Sequence, residues 1–349
     1  MTITQAINAI IPLDLSAMQA AQDHWNSIAK PLNSLGLLEK AVIQIAGMTS
    51  NPQYEIDKRG VVIMCADNGV VAEGVTQSGC EITAIVAKDF VLGCTSVCKM
   101  AQVAGVDIFP VDIGMCTDVE DVPNRKIAYG TQNMAKGPAM TRQQAVAAIE
   151  VGIDMVYQLK QQGYKILATG EMGIGNTTTS SAISAVLLAQ DAAAVTGRGA
   201  GLSDSGLNKK KEVIARAIAL NRPNPQDPLD VLSKVGGFDI AGLVGVFLGG
   251  AALHVPILID GVISAVAALL AVRIAPLARE YMLASHRSGE PAGQMILNHL
   301  KKEPFLTAGM CLGEGTGAVA SLPILDMAFA VYQNMSTFDE VKIEAYQPL

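Results

Sequence analysis

The chain alternates short apolar, β-branched runs with longer alanine-rich segments, and this alternation limits its fold more than any other feature. The apolar runs end in glycine or a carboxylate and lie at 59–69, 105–114, 164–176 and 254–261, with 308–317 as a candidate fifth. Between them lie segments of helical spacing at 142–162, 177–190 and 241–253. Strands that alternate with helices pair into a parallel sheet through right-handed crossovers. We therefore predict an α/β fold with a parallel sheet flanked by helices.

The charge balance argues against nucleic acid and membrane partners. The 349 residues carry a net charge of −7, and the one basic run, 209–211, is short. A nucleic-acid binder would present a basic stripe. The longest uncharged stretch of the most apolar zone, 240–253, is too short to cross a bilayer. Residues 1–14 lack the features of a signal peptide. The sequence therefore predicts a cytoplasmic protein without nucleic-acid or membrane partners.

Cysteine and histidine usage predicts a reducing compartment and no metal site. The six cysteines form no CxxC pair, and the four histidines form no HExxH motif. Zinc sites usually show such spacings. We expect neither a metal nor a cofactor.

Four carboxylates end apolar runs: Asp67, Glu171, Asp260 and Glu314. Parallel sheets bind ligands at the carboxyl ends of their strands. Strand ends also carry polar residues simply because they face water, but four together favour a site. Glu314 stands in "CLGEGTGA" between two glycines, where a loop position, a helix cap at Thr316 and a catalytic base are all compatible with the residues.

Two glycine-rich stretches are candidates for holding a phosphate. "GEMGIGNTTTSSAIS" (170–184) predicts a strand, a tight loop and a helix capped by Asn176 or Thr177. Free N–H groups at a helix start bind anions, although a plain tight turn fits as well. "TGRGAGLSDSGLNKKK" (196–211) joins a mobile loop to Lys210, and its alternative is a solvated surface face. Neither stretch has the spacing of a Walker A loop or a dinucleotide fingerprint.

These stretches together resemble one family, the nicotinate-nucleotide:dimethylbenzimidazole phosphoribosyltransferases of cobamide assembly (the CobT type). The resemblance runs along nearly the whole chain. It is carried by "MCADNGVVAEGV" (64–75), "GEMGIGNTT" (170–178), "NRPNPQDPLDVLSKVGGFDIAGLVG" (221–245), "LIDGVISA" (258–265), "SHRSGE" (285–290) and "LGEGTGA" (312–318).

The resemblance implies a large Rossmann-like domain (51–319) and a small helical domain made from both chain ends (1–50 plus 320–349). It implies a dimer whose neighbouring subunit contributes to each active site. The implied reaction moves 5-phosphoribose from nicotinate mononucleotide to a lower-ligand base. The products are an α-ribosyl phosphate and nicotinate.

The resemblance also assigns residues, position by position. Glu314 falls on the catalytic base, and Glu171 on a second carboxylate that contacts ribose or acts electrostatically. The implied nucleotide and phosphate site comprises Gly173, Gly175, Asn176, Thr177, Thr178, Gly201, Lys210, Ser288 and Gly313. The implied base pocket comprises Ser78, Gly79, Val86, Met172 and Leu312. Since the nicotinate ring is already a cationic pyridinium in the donor and leaves without a general acid, the nucleophile is the group that needs a base, and burial raises the pKa of a glutamate toward neutrality.

The pocket departs from the family pattern. Asp67-Asn68-Gly69 stands for Asp-His-Gly, Ser78-Gly79-Cys80 for Ser-Pro-Lys, and Val86 for a glutamine. Losing an amide removes a donor and an acceptor. The loss of this amide favours an enzyme that accepts a phenol or cresol, either in addition to a benzimidazole or in its place. The alternative is that valine at position 86 is a neutral change in the packing of the pocket. Some relatives of this kind pair non-identical subunits, so homodimer and heterodimer both stay open.

Two rival interpretations exist. A nucleotide-binding oxidoreductase fits the α/β pattern but lacks the dinucleotide fingerprint. A partner subunit that keeps the fold without the chemistry is the non-enzymatic alternative, and retention of Glu314 and Lys210 argues against it.

Overall fold

The computed structural model describes residues 1–346, and they form one parallel sheet surrounded by helices. The strands are β1 (Arg59–Ala66), β2 (Asp107–Gly114), β3 (Ile166–Met172), β4 (Ile257–Ile259) and β5 (Met282–Ala284). The helices are α1 (Ile3–Ala9), α2 (Leu15–Ser27), α3 (Leu37–Thr49), α4 (Glu81–Val91), α5 (Ser96–Ala104), α6 (Arg142–Gln161), α7 (Asn176–Leu187), α8 (Ala192–Val195), α9 (Asp204–Asn221), α10 (Pro228–Val235), α11 (Phe238–Leu253), α12 (Val262–Ile274), α13 (Ala292–Leu300), α14 (Thr316–Asn334) and α15 (Phe338–Val341). Two short 3₁₀ helices span Gly69–Glu73 and Pro276–Tyr281.

The sheet has the strand order β2-β1-β3-β4-β5, and every pairing is parallel. Val61 of β1 is in register with Ile108 of β2 and Ala168 of β3. β1 is buried along nearly its whole length, as expected for a strand covered on both faces. The predicted fold class is confirmed.

The two faces of β1 are covered by different helices. A methyl group on Gly242 of α11 would lie 2.9 Å from Met64 Sδ, so α11 covers one face closely. A methyl group on Gly315, directly before α14, would lie 2.7 Å from Val61 Cγ2 on the other face. Glycine allows the chain to approach the sheet this closely at both positions.

The sequence prediction of strands is right for four of the five runs and wrong for 308–317. That segment is a loop followed by α14, and the fifth strand is the three-residue β5. Gly309, Gly313, Glu314 and Gly315 all have positive φ angles, which a β-strand does not allow. The helical segment predicted at 241–253 and the strand predicted at 254–261 are confirmed by α11 and β4.

Both chain ends are helical and contact each other. Trp25 of α2 packs on Tyr332 of α14, with ring centroids 5.0 Å apart. The His24 ring nitrogen Nε2 lies 2.7 Å from the Tyr332 carbonyl oxygen. The predicted domain boundary at 319/320 falls inside α14, so this helix runs from the sheet, where it packs on β3 and α5, to the helices of the N-terminus.

Within residues 1–346, the helices are all too short or too polar to cross a bilayer.

Candidate active site

A cavity of about 270 Å³ opens at the carboxyl ends of the strands. Glu171 at the end of β3, Asp260 after β4 and Glu314 before α14 all line it. Asp67, the fourth of the predicted carboxylates, is buried outside the lining and accepts a hydrogen bond from the Cys116 N–H (2.7 Å). Three distant chain segments therefore bring carboxylates to one cavity, as the parallel topology predicts.

The Glu314 loop is held in a left-handed conformation. Gly313, Glu314 and Gly315 have φ angles of 94°, 61° and 93°. A methyl group on Gly313 would lie 2.5 Å from Glu171 Oε1, and one on Gly170 would lie 2.5 Å from the Glu314 carbonyl oxygen. A non-glycine residue at positive φ is uncommon and costs conformational energy. The glycines are thus what lets Glu314 lie beside Glu171.

The Glu314 carboxylate points at the start of α5. Its Oε2 atom accepts a hydrogen bond from the Val97 N–H (3.2 Å). Burial raises the pKa of Glu314, while the Val97 N–H and the Thr95 side chain oppose that rise and the Asp260 charge adds to it. The Leu312 side chain is 59% exposed and supplies little of this desolvation. The desolvation comes instead from the packing of the loop against β3 and α5.

Glu171 belongs to a buried polar network. The Asn176 amide nitrogen Nδ2 donates hydrogen bonds to Glu171 Oε2 and to Asp239 Oδ2, the latter over 3.0 Å. Burial, followed by the Asp239 charge, raises the pKa of Glu171 to about 8. Burial likewise raises the pKa of Asp239 to about 6. Glu171 is therefore mostly protonated at neutral pH and can act as a hydrogen-bond donor.

The start of α7 forms part of the cavity wall. Gly175 has φ +93° and no side chain to cap the helix, so the predicted caps Asn176 and Thr177 are instead its first two residues. In the same way Gly315, not Thr316, precedes α14. Lys210 of α9 donates a hydrogen bond to Thr177 Oγ1 (2.7 Å) and is 1% exposed. Burial lowers the pKa of Lys210 to about 8, and Glu290 partly offsets this.

The part of the cavity formed by the start of α7 and Lys210 is suited to an anion. The N-terminus of a helix attracts negative charge, and Lys210 has no ion-pair partner among residues 1–346. Gly199 lies close by: a methyl group there would lie 2.8 Å from Thr177 Oγ1 and 3.4 Å from Lys210 Nζ. The left-handed φ of Gly199 (+54°) and its missing side chain leave room for a bound group.

Most predicted site residues line this cavity. They are Ser78, Glu171, Met172, Gly173, Gly175, Asn176, Thr177, Lys210, Ser288, Leu312, Gly313 and Glu314.

Four predicted residues lie outside the lining: Gly79, Val86, Thr178 and Gly201. Thr178 is fully buried, since the next residue of a helix points about 100° away from its neighbour Thr177. Val86 of α4 packs against the hydrophobic core. Gly201 accepts a hydrogen bond from Gln77 through its carbonyl, while its neighbours Ala200 and Leu202 face the cavity.

Sequence reasoning placed Asp260 among the site carboxylates without a specific role, and it gave no role to the lining residues Arg198, His286 and Glu290. Asp260 accepts a hydrogen bond from the Ala318 N–H at the start of α14 (2.9 Å), and His286 Nδ1 lies 3.9 Å from its Oδ1. Burial raises the pKa of Asp260. Glu290 Oε1 accepts from the Gly199 N–H (3.1 Å). Two sequence signals point to these residues: the position of Asp260 at a strand end, and the "SHRSGE" stretch, which contains His286 and Glu290.

The fold and the cavity together define an α/β enzyme that pairs a helix start suited to an anion with carboxylates of raised pKa. Comparison with known proteins identifies the family. The family model described as Phosphoribosyltransferase matches residues 10–343. The nicotinate-nucleotide–dimethylbenzimidazole phosphoribosyltransferases of Ruminiclostridium cellulolyticum and Acetivibrio thermocellus are each 49% identical to this chain, over 100% and 99% of both proteins, respectively.

A solved structure agrees with the sequence comparisons. The crystal structure of CobT from Thermus thermophilus superposes with a TM-score of 0.90 at 35% identity, covering 95% of this chain and 100% of that one. The chain belongs to this phosphoribosyltransferase family, as the resemblance implied.

Proposed function

We propose that this protein transfers 5-phosphoribose from nicotinate mononucleotide to a cobamide lower-ligand base, a benzimidazole or a phenol/cresol, giving an α-ribosyl phosphate and nicotinate. The names of the 49% identical relatives support dimethylbenzimidazole as the acceptor. The observation that carries the proposal is the position of Glu314. Its partly desolvated carboxylate shares one cavity with the anion-binding start of α7.

The phosphate of the donor binds at Lys210 and Thr177. The Lys210 ammonium is buried, hydrogen-bonds only to the Thr177 hydroxyl among the described residues, and lies at the N-terminus of a twelve-residue helix. A phosphate there gains a charge-assisted hydrogen bond and the helix dipole. Gly173 and Gly175 let the nucleotide approach the backbone, and Ser288 adds a hydroxyl on the facing wall.

Glu314 removes the proton of the acceptor. Nicotinate departs from C1′ as a neutral ring nitrogen with its bonding pair, so the leaving group needs no acid. A ring nitrogen of the imidazole or the phenol oxygen forms the new bond to C1′, and the proton of the imidazole N–H or the phenol O–H passes to the Glu314 carboxylate. Attack on the face opposite the departing ring converts a β-nucleotide into an α-product. A carboxylate whose pKa lies above its usual value is better matched to this proton transfer.

Glu171 assists through hydrogen bonding. Because its pKa is about 8, it carries a proton at neutral pH, and its lining position suits donation to an oxygen of the ribose. Asn176 orients it by donating to Oε2.

The acceptor end of the cavity offers Ser78 as a polar group beside the apolar Met172 and Leu312. Val86, whose identity first favoured a phenol, packs against the core outside this lining. A single neutral hydroxyl together with apolar side chains suits a phenol, which has one polar atom. It also suits a benzimidazole. Incubation with nicotinate mononucleotide and equimolar phenol and dimethylbenzimidazole tests the choice. An exclusively benzimidazole product excludes the phenol branch.

The experiment that tests the reaction itself is Glu314→Gln, with transfer and nucleotide binding measured separately. General base catalysis contributes about 10²–10⁴-fold, so transfer should fall by that factor while nucleotide affinity changes little. Glu120→Gln, at an exposed position outside the cavity, is the matched control. Near wild-type turnover of the Glu314→Gln variant would exclude the base assignment.

The same assay addresses the subunit alternatives. An inactive or regulatory member of a heterodimer would bind nucleotide without transferring ribose when purified alone. We propose an active enzyme that works as a homodimer or a heterodimer. Sedimentation of the pure protein, together with its activity, distinguishes these states.

A further inference from the structure

A second cavity of about 650 Å³ lies at the outer edge of the sheet, between α3, β5 and α13. It shares no lining residue with the candidate active site. Its walls include the apolar side chains of Leu37, Leu283, Leu297 and Phe305. A cavity of this size and character can hold an organic molecule.

The polar part of this cavity is positively charged. Lys40, Lys301 and Lys302 line it, with Glu303 as the single carboxylate. In a chain of net charge −7, such a concentration of ammonium groups is unexpected. Among residues 1–346 these three lysines form no ion pair within 4.0 Å, although Glu303 lies in the same wall.

Lys302 is the most informative of the three. It is partly buried, and its side chain makes no hydrogen bond within the described residues. Burial lowers the pKa of Lys302 to about 8; the Glu280 charge opposes the shift and the Arg279 charge adds to it. Desolvating an ammonium without a partner is costly. Lys210 in the candidate active site is more deeply buried and hydrogen-bonds to Thr177, but it likewise has a lowered pKa and no ion-pair partner among residues 1–346.

We propose that this cavity is a second anion site, separate from the candidate active site, and that it binds a phosphate monoester with an apolar or aromatic body. Three ammonium groups and one carboxylate leave two positive charges, which match a phosphate monoester of charge about −1.5 to −2 at neutral pH. The leucine and phenylalanine wall accommodates the body of the ligand. The site does not depend on which acceptor the enzyme uses.

Calorimetric titration of the full chain with phenyl phosphate tests this site. Phenyl phosphate carries the dianion and an aromatic ring, and phenol serves as the uncharged comparison. We expect two binding sites in the wild type. Lys302→Met should weaken one of them at least tenfold and leave the other, whereas Lys210→Met should do the reverse. Lys99→Met, at an exposed position of α5 outside both cavities, is the matched control and should keep both sites.

The variants are checked for folding by thermal unfolding. Lys302→Met replaces a partly desolvated charge and should not lower the melting temperature, and phenyl phosphate should raise that temperature less in the variant than in the wild type. Lys40→Met is a second variant at an exposed wall position and should weaken the same site at least threefold.

Several results would overturn the proposal. One is a single wild-type site that disappears with Lys210→Met, since it would leave the second cavity empty. Another is phenol binding the second site as tightly as phenyl phosphate, because the lysines would then be irrelevant. A third is a change of oligomeric state on Lys302→Met without any loss of phenyl phosphate binding, because the lysines would then face a second copy of the chain.

Discussion

The Val97 backbone N–H donates a hydrogen bond to Glu314 Oε2 across 3.2 Å, although the two residues are 217 positions apart in the sequence. Val97 lies in the first turn of α5, where backbone N–H groups have no partner within the helix. A loop carboxylate and a helix start thus satisfy each other. The contact stabilises the ionised form of Glu314 against the burial that favours its protonated form.

Thr95→Val should move the acidic limb of the kcat/KM–pH profile to higher pH. Glu314 must be ionised to act as a base, and the Thr95 hydroxyl lowers its pKa. Removing that hydroxyl raises the pKa, so a higher pH is needed to ionise the base. Thr95→Ser keeps the hydroxyl and should leave the limb in place. Loss of the α5 cap also destabilises the fold by about 0.5–2 kcal/mol, which denaturant unfolding measures separately.

Glu171→Gln should stabilise the protein increasingly as the pH rises. The pKa of Glu171 is raised from 4.5, the value expected for the unfolded chain, to about 8 in the folded protein. The folded state therefore holds a proton that the unfolded state has lost. Because of this group, the wild-type free energy of unfolding decreases as the pH rises from 4.5 to about 8. A glutamine side chain does not titrate, so the variant does not show this decrease in stability.

The difference between Glu171→Gln and wild type should grow by several kcal/mol as the pH rises through this window, since each pKa unit corresponds to about 1.4 kcal/mol. Urea unfolding at a pH near each end of the window measures it. Glu120→Gln, exposed to solvent, should show no such growth. A constant difference across this range would contradict the raised pKa.

Lys210→Met should raise KM for the phosphorylated donor about 10–100-fold, because a hydrogen bond to a charged group contributes about 1.5–3 kcal/mol. The fold should not be weakened, since a desolvated ammonium is removed from a buried position. Lys209→Met, on the same helix but exposed, is the control. Steady-state kinetics with varied donor provide the measurement, and an unchanged KM would remove Lys210 from the phosphate site.

Alanine substitutions at three glycines should separate backbone strain from crowding. At Gly315, with φ +93°, a methyl group would lie 2.7 Å from Val61 Cγ2, so we expect a loss of about 2–4 kcal/mol from strain together with overpacking. Gly93 has φ +71° but open space, and we expect about 1 kcal/mol. Gly137 has neither constraint and should be neutral. Unfolding in urea ranks the three, and equal losses would mean that Gly315 is not crowded.

The sequence by itself determined the architecture, because buried strands and alanine-rich helices leave periodic apolar patterns. Those patterns place β1, β3, α6 and α11 correctly. Because the carboxyl ends of parallel strands lie on the same side of the sheet, this architecture also places Glu171 and Asp260 at one cavity. β5 was missed because its three residues stand in no longer apolar run, whereas the equally short β4 lies within the apolar run 254–261. The segment 308–317 was misread because its glycines and its apolar residues give conflicting signals.

Only the tertiary structure decided the chemical state of the site. Val97, Thr95 and Asp239 shift the pKa values of Glu314 and Glu171 and are far from these carboxylates in sequence. Asn176, five residues from Glu171, is the one local partner. A pKa depends on the distances to such groups and on burial, and neither is local to the chain. The left-handed conformation of Glu314 likewise follows from its packing against β3. The residues capable of chemistry could thus be named from the sequence, whereas their protonation required the fold.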